Sequence, residues 1–300
     1  MSSALEAAHR SHARSLWALC YRMTGVAADA EELVQDTFVR ALEAKPNEDE
    51  PLAGYLFRVA TRLSIDRLRR RQTEGYKGPW LPSPVPDDAL EFQQAPASAR
   101  YEVLESASFA FLLALEALSP EQRAAVVLGD VFDLSAKEVG ACLGLEEANV
   151  RQLQHRARKA LERYDTERIK CDDETRERTR AAMEGFFFSL ATGDVEGAKK
   201  WLADDVQVLS DGAGVFHAAM VPIHGPDRTT LFFSRLMQLR EVLTSDVKRV
   251  NGTWAVDATF ALKLEKDPPR GVTCVQLDAA GKIAVIYSIV APAKLTAPTP

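Results

Sequence analysis

The sequence has few cysteines and no long apolar run. Its four cysteines, Cys20, Cys142, Cys171 and Cys274, are far apart and follow neither CxxC nor disulfide-framework spacing, which predicts reduced thiols and argues against a metal site. No stretch approaches the roughly 18 apolar residues of a membrane-spanning helix, and the N-terminus lacks the apolar core and cleavage site of a signal peptide. These absences predict a cytoplasmic protein with no membrane partner, no metal and no cofactor.

The chain also lacks a surplus of positive charge. Its 37 Lys and Arg residues against 43 Asp and Glu residues give a formal net charge of -6. Non-specific coating of nucleic acid rests on broad phosphate neutralisation, so any contact with DNA must be local. The 300 residues, of which 46% are hydrophobic and 27% charged, are typical of a globular protein with two or three domains.

The sequence DAEELVQDTFVRAL, from Asp29 to Leu42, predicts an amphipathic helix. Its apolar residues recur at intervals of three and four, which gathers them on one buried stripe. The opposite face is mostly acidic and carries Glu32, Gln35, Asp36 and Arg40. This face is either a solvated helix surface or a strip that docks on a basic partner helix.

A second predicted helix, from Tyr55 to Arg71, is rich in arginine. It follows a polar loop from Lys45 to Pro51 that carries Glu48, Asp49 and Glu50. Because these acidic residues would repel a polyanion, no residue of the loop is taken as a DNA contact. Within the helical basic run only Asp66 is acidic. The candidate phosphate and base contacts are Arg62, Arg67, Arg69, Arg70 and Arg71. The alternative is that basic residues near a helix C-terminus only complement the helix dipole.

Helix-turn-helix spacing follows further along the chain. After an apolar-rich helix predicted from Tyr101 to Leu118, Ser119 and Ser135 each precede a Gln or Glu by three residues, which marks two helix starts. Gly144 is a natural C-cap, and a second helix is predicted from Glu147 to Tyr164. The candidate DNA contacts on this helix are Asn149, Arg151, Gln152, His155, Arg158 and Lys159.

In this order the three stretches resemble a bacterial sigma factor of the extracytoplasmic-function group. DAEELVQDTFVRAL is similar to the helix that binds the clamp of core RNA polymerase, and YLFRVATRLSIDRLRRR to the region that opens and reads the minus-10 promoter element. LSPEQRAAVVLGDVFDLSAKEVGACLGLEEANVRQLQHRARKAL is similar to the region that reads the minus-35 element. The resemblance implies all-α sigma domains at residues 1–73 and 101–166, with core RNA polymerase and promoter DNA as partners.

Residues 74–100 predict an extended linker, since five prolines are spread through few apolar residues. Within it, YKGPWLPSPVPDD resembles a WLP-type motif found in members of the group that carry an extra C-terminal domain. The motif residues are Trp80, Leu81 and Pro82. Because exposure of the large side chains of Tyr76, Trp80 and Leu81 is unfavourable, we expect them to dock on another domain.

From about residue 172 the pattern changes to helices followed by strands. Strands are predicted for five stretches rich in β-branched and aromatic residues: VQVLSD, VKRV, TWAVDATFALKLE, VTCVQLD and KIAVIYSIV. A helix is predicted from Leu231 to Leu243 and a hairpin turn from Asp278 to Gly281. This order resembles the cone-shaped α+β fold of nuclear-transport-factor-2-like (NTF2-like) and SnoaL-like domains. The expected fold class is therefore multidomain: two helical sigma domains, then an α+β domain at residues 172–300.

Two short sequences resemble motifs of sigma factors that carry such a domain. Residues 211–215, DGAGV, resemble a DGGGK-type loop without its middle glycine and its basic residue, and residues 291–295, APAKL, resemble an NPDKL-type ending. The resemblance implies a contact with the rest of the sigma factor that sets its activity. With the linker motif, the implied contact residues are Asp211, Gly212, Gly214, Pro292, Lys294 and Leu295.

Two other classes of function compete with this interpretation. The cone fold encloses a pocket in which enzymes place acids and bases, and the candidates here are Asp211, His217, His224, Asp257 and Tyr287. None has the spacing of a catalytic dyad. A ligand-sensing helix-turn-helix regulator would need neither the clamp-type helix nor the arginine-rich helix. The sequence therefore favours a non-enzymatic sigma factor whose C-terminal domain modulates it in cis. It leaves open whether an unknown small ligand is a further partner of that domain.

Overall fold

Helices predominate before residue 169, and a six-stranded sheet with three helices follows. The computed structural model describes residues 3–44, 51–91, 99–169 and 172–295. Within these ranges the chain divides into a helical unit, up to Gly75 and again over Asp88–Arg168, and a mixed unit of Tyr76–Asp87 and the residues from Ile169 onwards. The acidic residues of the predicted loop, 48–50, and Cys171 lie outside the described residues.

The described helices before residue 169 include three long ones at the start and a series of shorter ones. They are α1 (Ser3–Thr24), α2 (Ala27–Ala44), α3 (Leu52–Glu74), α4 (Asp87–Leu90), α5 (Phe109–Ala114), α6 (Pro120–Val126), α7 (Ala136–Leu143), α8 (Glu147–Ala160) and α9 (Glu162–Glu167). None of the helices described in the chain is long and apolar enough to cross a membrane.

Local chemistry sets the starts of α6 and α7. Ser119 Oγ accepts a hydrogen bond from the Gln122 backbone N–H at 3.2 Å, and the Gln122 side chain accepts one from the Ser119 N–H at 2.9 Å. Ser135 and Glu138 form the same reciprocal pair at the start of α7. These bonds satisfy backbone donors that lack a partner in the first turn of a helix. Gly144 ends α7 in the left-handed conformation, with φ of 71°.

The single helix predicted from Tyr101 to Leu118 is wrong. The structure has a 3-10 turn at Glu105–Ala107, then α5, then a second 3-10 turn at Leu115–Ala117. Ser108 breaks the segment because its backbone is extended and its Oγ caps α5 by accepting from the Phe111 N–H at 3.2 Å. The helix predicted from Glu147 to Tyr164 is likewise divided, since α8 ends at Ala160 and α9 follows.

Two buried arginines join the first three helices to the later ones. Arg22 donates to Ser106 Oγ and to the Val103 carbonyl, each at 2.8 Å. Arg123 donates to the Met23 and Leu112 carbonyls, each at 3.0 Å. Burial lowers the pKa of both guanidinium groups to about 10, so both remain charged at neutral pH and depend on these acceptors.

The mixed unit is built from three helices and one sheet. Its elements are α10 (Asp173–Ala191), α11 (Val195–Lys199), β1 (Leu202–Asp211), β2 (Ile223–His224), α12 (Pro226–Leu239), β3 (Val242–Val250), β4 (Thr253–Phe260), β5 (Arg270–Leu277) and β6 (Ile283–Ile289). The strand order is β2-β1-β6-β5-β4-β3. β1 pairs with β6 in parallel and every other pairing is antiparallel.

Aromatic and aliphatic side chains from α10 and α12 pack on this sheet. Phe186 and Phe233 meet edge to face at 5.8 Å between ring centroids, and Val206, Val208 and Ile286 of the sheet lie in the same core cluster. Burial of these side chains supplies the main stabilisation of the unit.

Several predicted boundaries in this unit are wrong. The predicted helix from Leu231 to Leu243 begins earlier, at Pro226 after Gly225, and ends at Leu239, while Val242 and Leu243 begin β3. The predicted strand from Thr253 to Glu265 ends at Phe260. The hairpin turn forms where it was predicted: Gly281 has φ of 81° and its N–H donates to the Asp278 carbonyl at 3.0 Å.

Candidate functional site

The linker segment Tyr76–Asp87 belongs to the mixed unit, and Asp211 at the end of β1 holds it. The Asp211 carboxylate is fully buried. It accepts from the Leu81 backbone N–H at 2.8 Å and from the Tyr76 hydroxyl at 2.6 Å. It also accepts from the Ala213 N–H at 3.0 Å, within its own loop. Four or more acceptor sites on a carboxylate make this convergence possible.

Lys294 supplies the positive charge for this carboxylate. Its Nζ lies 2.5 Å from Asp211 Oδ2 and donates to the Leu81 carbonyl, also at 2.5 Å. The same Nζ lies 4.6 Å from the ring centroids of both Tyr76 and Trp80, within the range of cation–π attraction. The backbone of Leu81 is therefore bound at its N–H by the acid and at its carbonyl by the base.

The glycine-containing loop after β1 is shaped by close backbone contacts. A Cβ atom on Gly212 would lie 2.7 Å from the Phe216 carbonyl oxygen, and Gly214, with φ of 71°, approaches the Lys77 side chain of the linker. Ala213 adopts a positive φ of 52°, a conformation that favours glycine. Alanine thus occupies a left-handed backbone position at the place where the DGGGK-type motif has its middle glycine.

A second attachment of the linker, at Asn251, was not predicted. The Val85 N–H donates to Asn251 Oδ1 at 2.8 Å and the Val85 carbonyl accepts from the Asn251 N–H at 2.9 Å. Asp87 pairs with Arg249 and accepts from the Gly252 N–H at 2.8 Å. Asn251 and Gly252 both have positive φ, so the Asn-Gly dipeptide, a strong hairpin signal, was the available sequence clue.

The acidic strip predicted on α2 is exposed. Glu32, Gln35, Asp36 and Arg40 are all accessible to solvent, while Leu33, Val34 and Phe38 of the same helix are buried. Arg67 of α3 pairs with Glu32 at 2.8 Å and with Asp29 at 2.5 Å. In the part of the chain that the structure describes, Asp36 and Arg40 have no ion-pair partner. Leu42, which the sequence placed on the buried stripe, is 40% exposed.

The arginines predicted to contact DNA on α3 fall into two groups. Arg69 lies 2.6 Å from Glu121, and Arg71 lies 2.6 Å from Glu116; with Arg67, these three side chains have acidic partners in the helical unit. Arg62 and Arg70 are exposed and have no acidic partner among residues 3–44, 51–91 and 99–169.

The helix-turn-helix is formed by α7 and α8. Its turn is tight, because a Cβ atom on Gly140 would lie 2.5 Å from the Leu145 carbonyl oxygen. Arg151 pairs with Glu147 at 2.5 Å, and Arg158 pairs with the buried Asp130 at 2.5 Å. The exposed candidates on α8 that have no ion pair within the described ranges are Asn149, Gln152, His155 and Lys159.

The residues considered for catalysis do not converge. Asp211 binds the linker, and Tyr287 donates to Gln276 Oε1 at 2.6 Å. Asp257 is bound by Arg270 and Lys248; although burial opposes it, these two cations hold its pKa below the usual range. His217 lies 3.7 Å from Asp267, and His224 is exposed on β2. The described residues also contain no cluster of His, Cys, Asp and Glu that could hold a metal ion.

Comparison with known proteins identifies the two helical regions. The family model of sigma-70 region 2 matches residues 8–74, and that of sigma-70 region 4 matches residues 108–161. The ECF RNA polymerase sigma factor SigJ of Mycobacterium tuberculosis is 36% identical over 233 residues, which cover 74% of this chain and 70% of that protein. SigE of Mycolicibacterium smegmatis is 36% identical over 163 residues, covering 52% of this chain and 59% of that protein.

The likeness to a solved structure extends over both units. The crystal structure of M. tuberculosis SigJ superposes with a TM-score of 0.68 at 27% identity, covering 94% of each chain. The chain belongs to the extracytoplasmic-function (ECF) sigma factor family of RNA polymerase. It is a sigma factor, with core RNA polymerase and promoter DNA as its partners. The predicted fold class, helical sigma domains followed by an α+β domain, is confirmed.

Proposed function

We propose that this sigma factor binds core RNA polymerase through the exposed strip of α2, with Glu32, Gln35, Asp36 and Arg40 as the contacts. The observation that supports this is the division of the helix into a buried apolar face and an exposed acidic face. Exposed charges of one sign steer association with an oppositely charged partner and fix its register. Asp36 is the most available of the acids, because Glu32 already pairs with Arg67.

Promoter DNA is contacted on two surfaces in this proposal. The minus-10 element is contacted by five arginines of α3: Arg62, Arg67, Arg69, Arg70 and Arg71. The minus-35 element is contacted by six residues of α8: Asn149, Arg151, Gln152, His155, Arg158 and Lys159. Arg62, Arg70 and Lys159 are ready for phosphate, since they are exposed and lack an acidic partner within the described ranges. The other arginines must first break their ion pairs with carboxylates before they can contact DNA, so their contribution to DNA binding depends on a change of side-chain position. They are Arg67, Arg69, Arg71, Arg151 and Arg158.

The C-terminal domain modulates promoter use in cis by holding the linker. The observation that carries this proposal is the binding of Leu81 by Asp211 and Lys294, with Trp80 and Tyr76 stacked on the lysine. The chain leaves the helical unit after Gly75 and returns to it at Asp88. The held segment therefore connects the minus-10 region to the minus-35 region, and its attachment limits how far those regions separate.

The C-terminal domain acts in this role without catalysing a reaction. Asp211 and Asp257, the two buried acids considered for catalysis, are bound by structural cations, which suits anchoring and leaves neither carboxylate available to a substrate. The family assignment supports a cytoplasmic site of action, where RNA polymerase works.

Run-off transcription with purified core RNA polymerase tests this function. The full chain is compared with a version that ends near Asp165 on the same promoter. We expect the full chain to initiate at a specific site and the shortened version to initiate with altered efficiency. Failure of the full chain to direct any specific initiation would contradict the sigma role, and equal activity of both versions would contradict regulation in cis.

A further inference from the structure

An apolar cavity lies between the sheet of the mixed unit and the helices α10 and α12. Its volume is about 460 Å³, within the range of small-molecule sites, which is about 300–1,000 Å³. Its wall is mostly apolar and includes four aromatic side chains, those of Phe187, Phe188, Phe233 and Phe260. Phe188, Val242 and Val247 of this wall are 70%, 53% and 41% exposed, and a group of exposed apolar side chains of this kind can mark a ligand-binding groove.

Arg240 brings a positive charge into this apolar wall. Its guanidinium lies 5.3 Å from the centroid of the Phe260 ring and donates to the His217 carbonyl at 3.1 Å. Across residues 172–295 and the described linker, no carboxylate lies within ion-pair distance of it. Burial lowers the pKa of Arg240, and the group remains a cation because an arginine is protonated at any physiological pH.

The nearby acids are already engaged elsewhere. Asp267 accepts from the backbone N–H groups of Lys263 and Leu264 at 3.1 and 2.9 Å. Glu184, which lines the cavity, accepts from Arg180 at 2.8 Å. Arg240 is therefore a half-buried cation that feels the charge of Asp267 but forms no ion pair with it, and it keeps N–H donors free to face the cavity.

A smaller cavity of about 230 Å³ adjoins the first. The two share Leu236, Arg240 and Ser288, which sets the guanidinium at their junction. Ser210 lines the smaller cavity, and the next residue, Asp211, holds the linker. A ligand at the junction would lie beside the strand end on which the linker contact depends.

We propose that this cavity binds a small apolar carboxylic acid, aliphatic or aromatic, with its carboxylate on Arg240 and its apolar body among the phenylalanines. The planar guanidinium matches a carboxylate with two parallel hydrogen bonds. The hydroxyl of Ser288 is a further donor at the junction. An amine would place a second positive charge beside the guanidinium, and a neutral molecule would offer its N–H donors no anionic acceptor.

Calorimetric titration of the full chain tests the ligand class with defined probes. Octanoate and 2-naphthoate are compared with their uncharged counterparts, octan-1-ol and 2-naphthol. We expect at least one acid to bind about tenfold or more tightly than its counterpart, the scale of a charge-assisted bond in a desolvated site. Because the comparison uses the wild-type chain, its result does not depend on whether a variant folds. Absence of binding by both acids, or equal binding by acid and alcohol, overturns the proposal.

Arg240→Gln then locates the carboxylate. We expect it to weaken binding of the acid about tenfold or more and to leave binding of the alcohol unchanged. Arg235→Gln, at an exposed position on α12 five residues before Arg240, makes the same change of net charge and should leave both unchanged. Unaltered acid binding by Arg240→Gln would refute the assignment. The inference deepens the proposed regulation in cis, but the titration contains no polymerase, so its failure leaves the sigma function standing.

Discussion

Lys294 and Asp211 form an ion pair of 2.5 Å in which both side chains are almost completely buried. Removing two charges from water is costly, and such a pair is tolerated only when further hydrogen bonds satisfy both groups. Here Leu81 of the linker completes the arrangement, since its N–H binds the acid and its carbonyl binds the base. The linker backbone therefore supplies hydrogen bonds that the buried pair requires, and the pair in turn holds the linker in place.

Lys294→Met should destabilise the mixed unit by about 3–5 kcal/mol, because Asp211 would keep a buried charge without its counterion. The measurement is the free energy of unfolding from a denaturant titration. Lys266→Met is the matched control, since Lys266 is exposed, and should change it by less than about 0.5 kcal/mol. Asp211→Asn combined with Lys294→Met should recover part of the loss. Equal stability of both lysine variants would contradict the role of the pair.

Asp36→Lys should weaken binding of core RNA polymerase by roughly tenfold while leaving the fold intact, because Asp36 is exposed on the acidic strip. Fluorescence anisotropy with labelled sigma factor measures the Kd. Glu174→Lys, at an exposed position on α10 of the mixed unit, makes the same change of charge away from α2 and serves as control. An identical Kd for the two variants would remove the strip from the interface.

Arg70→Ala should weaken binding to DNA carrying the minus-10 element and lower the salt slope by about one, as expected for the loss of one phosphate contact. The measurement is the Kd of the polymerase holoenzyme at several salt concentrations. Arg163→Ala, at an 86% exposed side chain on α9, is the control. Salt slopes that match for both arginine variants would exclude Arg70 from the DNA surface.

On the second DNA surface, formed by α8, Gln152→Ala should relax selection at the minus-35 element.

Glu121→Gln should increase affinity for minus-10 DNA, because it removes the charge that holds Arg69 at 2.6 Å. An exposed pair of this kind contributes at most about 1 kcal/mol, so the gain is limited to a few-fold. Glu102→Gln, which removes an exposed charge elsewhere in the helical unit, is the control. If DNA affinity is the same in both variants, Arg69 either leaves Glu121 at no cost or stays away from DNA.

Features set by neighbouring residues could be predicted from the sequence. The capping boxes at Ser119 and Ser135, the left-handed Gly144 and the turn before Gly281 depend on a few adjacent side chains, and each is found where the pattern put it. The break at Ser108 escaped prediction, because apolar residues on both sides of it continue a helical period and the serine cap overrides that period.

Contacts between distant segments could not be predicted from local pattern. Arg69 and Glu121 are 52 residues apart, and nothing near either residue indicates that they pair. The motif resemblances pointed to Trp80, Leu81, Asp211 and Lys294 as a group, but only the three-dimensional arrangement shows Leu81 bound at both its N–H and its carbonyl. A role for Arg240 could not be predicted from the sequence, because it depends on the cavity that distant segments form around this side chain.

Run-off transcription by the holoenzyme tests most directly whether the linker contact sets activity. Wild type, Trp80→Ala, Lys294→Met and the double variant are compared at a temperature where circular dichroism shows all four folded. Both single variants should change promoter-directed transcription in the same direction, and the double variant should differ little from either one, because both substitutions release the same segment. Independent effects that add in the double variant would contradict the account.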